Sequence, residues 1–174
     1  MTLEQARAYL RLESSGEDAL VARLVASATA LAEAYLGMAL VRRTVVETLA
    51  AGEAGAWRRL GSAPVAAIVR VARIAVDGSA AMLGADDYAI DIDARGEGWV
   101  RAAGGGRLRV TYTAGLAEVL EEVPAPIAQG VIRLAAHLYA RRDDMSGPPA
   151  AVAALWRPYR RLRLGLETAP ELGA

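Results

Sequence analysis

Residues 123–142 read VPAPIAQGVIRLAAHLYARR, and this stretch decides the fold. Pro124 and Pro126 suit the opening of a helix, where a missing N–H leaves no intrahelical bond unmade. Beyond them Ile127, Val131, Ile132, Leu134, Ala135, Leu138 and Tyr139 recur at helical spacing and cover most of the circumference. Only one stripe is polar: Gln129, Arg133, His137 and Arg141, each four residues after the last. A helix apolar nearly all round belongs at the centre of a core or between subunits. Ala128, Gly130, Ala135 and Ala136 are small enough to let a second helix come close.

Working outward, the chain on the N-terminal side turns to strands. Val41 to Leu49, Trp57 to Leu60, Val69 to Val76, Asp87 to Asp93 and Leu108 to Thr113 are rich in β-branched or alternating residues. Asp77-Gly78 reads as a two-residue hairpin turn with positive φ at both positions, and Gly104 to Gly106 as a second turn. In Asp87 to Asp93 the residues Tyr88, Ile90 and Ile92 share one face, and acidic residues the other. Further upstream, Thr2 to Gln5 forms a capping box ahead of a helix reaching about Leu10. A long helix follows from about Glu17 to Leu36, with Gly37 as its left-handed cap. After Ser146-Gly147-Pro148-Pro149 a last helix spans Ala150 to about Leu164. The expected class is therefore α+β, helices packed together with an antiparallel β region inserted between the N-terminal and C-terminal helices. Its expected parts are N-terminal helices over 1–40, the β region over 41–116, C-terminal helices of the same core over 117–164, and a flexible tail over 165–174.

Composition narrows the function. At 174 residues the chain can bury a core, built chiefly from 21 Leu, 15 Val and 6 Ile, since 39 residues are alanine and Phe is absent. No charge-free run reaches the roughly 20 residues of a membrane span. The acidic first twenty residues do not read as a secretory signal. Without cysteine there is no disulfide, thiolate nucleophile or cysteine metal site. All 20 basic residues are arginine, as in proteins of GC-rich genomes, and the net charge is zero. That balance argues against a free-standing nucleic-acid-binding module, which ordinarily carries a basic footprint.

A search for chemistry finds no active site. His137, the only histidine, has Arg133 and Arg141 as its helical neighbours, no carboxylate to orient it and no nucleophile beside it. Asp86, Asp87, Asp91 and Asp93 are the best metal candidates. Carboxylates two and four apart on a strand, however, stand about 7 and 13 Å apart, too far to share one ion. The glycines at 104–106 do not open a helix as a phosphate loop must. The expectation is a non-enzyme with no cofactor and no metal. The marked feature outside the core is Trp156, Arg157, Tyr159, Arg160, Arg161 and Arg163, a mixture of arginine and aromatics that suits a protein interface, a solvated helix end with arginines on its C-terminal dipole, or contact with nucleic acid.

Taken together these segments resemble the head–tail connector, or neck adaptor, family of long-tailed bacteriophages and gene transfer agents. The resemblance spans about residues 1–161. It is carried by MTLEQARAYLR at 1–11, Asp18-Ala19-Leu20, Glu33 to Gly37, and Val110-Thr111-Tyr112-Thr113-Ala114-Gly115. Val123-Pro124, Ala136-His137-Leu138-Tyr139 with Arg141-Arg142, and Trp156 to Arg160 complete it. It implies a structural protomer, assembled in the bacterial cytoplasm into a dodecameric ring in the neck of a virion or phage-like particle. The ring sits between the portal protein and a stopper or tail-terminator, and continues the DNA channel used in ejection. DNA passes without sequence-specific binding, and no membrane is involved. On this resemblance Trp156, Arg157, Tyr159, Arg160, Arg161 and Arg163 would meet the portal. The stripe Gln129, Arg133, His137 and Arg141 would line a subunit interface or the channel. The turns at Asp77-Gly78 and Gly104-Gly105-Gly106, lacking an apolar anchor, would face the stopper or tail. A small nucleic-acid-binding module or another minor head or neck completion protein is the alternative.

Overall fold

The computed structural model describes residues 3–12, 15–141 and 147–161. Four α-helices and two antiparallel sheets confirm the α+β class. They fall into two compact units, one of residues 3–41 with 117–161, the other of residues 42–116.

The first unit is helical: α1 (Leu3–Leu10), α2 (Asp18–Leu36), α3 (Ala125–Ala140) and α4 (Ala150–Trp156), the last continued by a 3-10 turn over Arg157–Tyr159. The thirds and fourths of α2 bury Val21, Ala28, Ala32 and Leu36, and α2 packs on α3. By length and composition alone α2 could cross a bilayer, a property shared by apolar core helices, yet Arg23 and Glu33 interrupt it. Gly37 ends it at φ 70°, its N–H on the Glu33 carbonyl, and a Cβ there would come within 3.0 Å of the Arg161 carbonyl oxygen. Leu36, Leu40, Ile127, Val131, Leu134, Val152 and Trp156 form the centre of this core. Gly130 is the floor on which Trp156 lies, since a Cβ there would meet the indole nitrogen. That nitrogen donates to the Ile127 carbonyl at 3.2 Å.

The second unit has seven strands: β1 (Arg43–Gly52), β2 (Arg58–Arg59), β3 (Val65–Ile74), β4 (Ala80–Met82), β5 (Tyr88–Ile92), β6 (Gly98–Ala102) and β7 (Gly106–Ala114). One sheet runs in the order β1-β7-β3-β4 and the other β2-β6-β5. Leu49, Leu60, Val65, Val71, Val100, Leu108, Val110 and Tyr112 fill the core they share. β4 and β6 are strands that the sequence reading did not anticipate. The hairpin between β3 and β4 also departs from expectation. Ala75 N–H bonds Ser79 O, Gly78 N–H bonds Ala75 O, and only Gly78 has positive φ (86°). The connection is thus a three-residue loop with glycine at its left-handed position, and Asp77 instead accepts the Ser79 N–H and hydroxyl at 2.9 and 2.7 Å.

Candidate assembly surfaces

The C-terminal cluster divides by helical phase. Val152 and Trp156, four apart on α4, both point inward, and Trp156 is 0% exposed. Its indole is therefore part of the core, tilted against Tyr35 at 5.7 Å between ring centroids, and cannot touch a partner as the sequence reading expected. Arg157 and Arg160 are exposed, Tyr159 and Arg161 half-buried, and Arg163 lies outside the described residues. The Arg160 guanidinium stacks over Tyr35 at 5.2 Å, and the Arg161 N–H donates to the Leu36 carbonyl at 2.8 Å. These two contacts fasten the segment beyond α4 to the end of α2, leaving the Arg157 head in solvent.

Along α3 the expected stripe lies on the less buried side: Arg133 and Arg141 are exposed, Gln129 and His137 half-buried. Next to it Tyr139 donates its hydroxyl to Glu17 Oε2 at 2.5 Å, tying α3 to the start of α2.

The two β turns differ from each other. The tip at Asp77 and Gly78 is exposed, and beside it Val76 is wholly exposed, an apolar residue where none was expected to matter. Gly104, Gly105 and Gly106 are half-buried and pinned. Arg73 Nη2 approaches the Gly104 carbonyl at 3.4 Å, and a Cβ on Gly104 would fall 2.7 Å from that nitrogen. Arg58 Nη1 donates to the carbonyls of Ala50 (3.0 Å) and Gly106 (2.8 Å). Burial first, and the like charge of Arg73 second, hold the Arg58 guanidinium below its ordinary pKa. Sequence reasoning missed both arginines, because their partners lie 31 and 48 residues along the chain.

The acidic residues close turns. Asp87 Oδ2 accepts the Gly84 N–H at 3.1 Å, and Asp93 Oδ1 accepts the N–H groups of Arg95 and Glu97, both at 2.8 Å. Asp86 and Asp87 line a shallow hollow of about 310 Å³ with Tyr88 and Arg101. Among the described residues no three His, Asp or Glu side chains gather as a metal site would require. A side-chain network around Tyr112 in the β core is structural. Tyr112 donates its hydroxyl to Glu47 Oε2 at 2.7 Å, and accepts the Ser62 N–H at 3.0 Å. Glu47 Oε2 also accepts the Gly61 N–H at 2.9 Å.

No family model and no curated protein matches the chain. Solved structures do. A chain in the neck of an empty gene transfer agent particle, computed with C6 symmetry, is 27% identical with a TM-score of 0.79, over 98% of this chain and 93% of that one. A chain in the virion of a native gene transfer agent particle is also 27% identical, with a TM-score of 0.74 over 98% and 93%. A third, from the neck of a native particle computed with C12 symmetry, gives 27% and 0.72 over 94% and 92%. In fold and over nearly its whole length, this chain is similar to chains of gene transfer agent particles and their necks.

Proposed function

We propose that this chain is a structural component of the neck of a gene transfer agent or related phage-like particle. Within the neck we assign it to the adaptor ring between portal and stopper. The observation that carries the reading is the likeness to neck chains at both helical and β units together, at 27% identity over 98% of the chain. Necks computed with C6 and C12 symmetry favour a ring of copies, which we take to be twelve, around a DNA channel. The role is mechanical and non-enzymatic, in keeping with a single histidine that has no nucleophile near it in sequence.

In this assignment Arg157, Tyr159, Arg160 and Arg161, with Arg163, face the portal, and Trp156 serves them from within by anchoring their helix. Arginine forks suit carboxylates on such a partner. Arg133 and Arg141, with Gln129 and His137, belong to the surface between copies or toward the channel, and the Val76-Asp77-Gly78 tip faces the tail side. The test is imaging of the purified chain, alone and mixed with its portal. A ring stacked on the portal is expected. Failure to associate with portal-bearing heads, with the chain folded, would overturn the adaptor assignment.

A further inference from the structure

Each sheet of the β unit leaves one strand open. β1 and β4 are the edges of the first sheet, β2 and β5 those of the second. β4 and β2 are only three and two residues long, so β1 and β5 carry the substantial free edges.

The main-chain groups on those edges follow from the strand ladders. Asp87 accepts the Ala103 N–H and Asp93 donates to Glu97 O, so the odd-numbered residues of β5 bond β6. Tyr88, Ile90 and Ile92 therefore turn their N–H and C=O groups outward. On β7, the Gly115 N–H donates to Pro64 O, which directs odd-numbered residues toward β3 and even-numbered ones toward β1. The β7 partners Arg43, Val45, Glu47 and Leu49 are thus satisfied, and Thr44, Val46 and Thr48 face outward. The next outward carbonyl, that of Ala50, is already capped by Arg58. Two windows of equal length remain, 44–48 and 88–92.

Their side chains are unusual for solvent-facing edges. Val46 is 62% exposed, Ile90 44% and Ile92 37%. Ile90 pairs with the fully buried Val100 and points to the same face, yet stays 44% exposed at the sheet edge. Neither window holds a lysine or proline, and their charged residues, Glu47 and Asp91, fall at the positions bonded inward to β7 and β6.

We propose that β1 of one copy adds antiparallel to β5 of the next, with Val46 opposite Ile90, making the sheets continuous from copy to copy. This rests on the ring-forming neck reading above. The register pairs Thr44 with Ile92 and Thr48 with Tyr88, so every outward residue of both windows meets an outward partner. It also sets Arg43 opposite Asp93, the basic start of β1 against the acidic end of β5. Pairing β5 with itself about Ile90 would instead oppose Asp93 to Asp87. Joining two different edges is heterologous, and a heterologous contact propagates, closing into a ring where the rotation between copies closes, whereas pairing like edges stops at a dimer.

A cysteine-free chain makes the test direct. Residues opposite each other in a bonded antiparallel pair have Cα atoms about 5.5 Å apart, within disulfide reach. Val46→Cys combined with Ile90→Cys should give, on oxidation and non-reducing gels, a ladder of dimer, trimer and higher species. Each single variant should give at most a dimer, and Val46→Cys with Met82→Cys should give no ladder. Ile90→Asp should leave circular dichroism unchanged and abolish ring mass. Should the first pair fail to fold, Thr44→Cys with Ile92→Cys samples the same register. Wild-type rings by native mass spectrometry with no ladder would overturn the pairing while leaving the neck reading intact. Efficient dimers from Ile90→Cys alone, together with no ladder from the Val46→Cys, Ile90→Cys double variant, would show isologous β5 pairing instead. A wild-type chain that stays monomeric at its highest soluble concentration would count against both.

Discussion

Gly130 and Tyr112 are single residues on which a whole core turns. A methyl group at 130 would sit 2.1 Å from the Trp156 indole nitrogen, so Gly130→Ala must push the ring off the Ile127 carbonyl or move α4. Loss of about 1–3 kcal/mol is expected despite alanine's better helix propensity, measurable by urea unfolding. A variant as stable as wild type would mean α4 is free to slide. Tyr112 carries a pH signature. Burial, with the hydrogen bond to Glu47, raises its phenol above the usual value of about 10. The folded state therefore keeps this proton longer than the unfolded chain does. Its stabilising effect is complete below pH 10 and is lost as pH rises from there through the raised folded value. Tyr112→Phe should cost about 1–2 kcal/mol at neutral pH. The gap to wild type should narrow above pH 10, and a constant gap would remove Tyr112 as the titrating group.

At the level of elements, α3 separates folding from assembly. Leu134 is 2% exposed, and Leu134→Asp should unfold the helical unit by burying an unpaired charge, at a cost of more than about 3 kcal/mol. Arg133 is exposed, so Arg133→Glu should change stability by no more than about 0.5 kcal/mol and yet impair particle assembly. Normal assembly with Arg133→Glu would dismiss the stripe as an interface. Both helices of the central pair could be read from sequence because sustained apolar periodicity and a glycine cap survive any tertiary context. β6 could not, since Gly98 and Arg101 dilute a five-residue segment whose Trp99 and Val100 are buried only once β2 and β5 flank them. β4 is two alanines and a methionine, weak strand formers held by the hairpin at Ala75–Ser79. For Trp156, adjacency to arginines suggests exposure, but helical phase decides. Its four-residue spacing from Val152 already pointed it inward.

For the whole molecule, the proposed portal contact has an ionic signature. Arg157→Glu with Arg160→Glu should weaken joining to portal-bearing heads, and the wild-type joining should itself fall with added salt, since these exposed heads are screened within about 10 Å at 0.1 M. Pull-down of neck complexes across a salt series measures it; salt-independent joining would move the contact to apolar surface. The sequence changes period near residue 41 and back near 117, but nothing local shows that those two points meet. They do: Val41 bridges Ala117, and the Ala117 N–H donates to the Leu40 carbonyl at 3.1 Å. The chain thus leaves the helical unit and returns to it at a single hydrogen-bonded doorway. Joining Val41 to Ala117 through a few glycines should leave a folded helical unit by circular dichroism. Under the proposed neck assignment, that doorway would let the β unit diverge within a lineage of particles while the helical unit stays as it was.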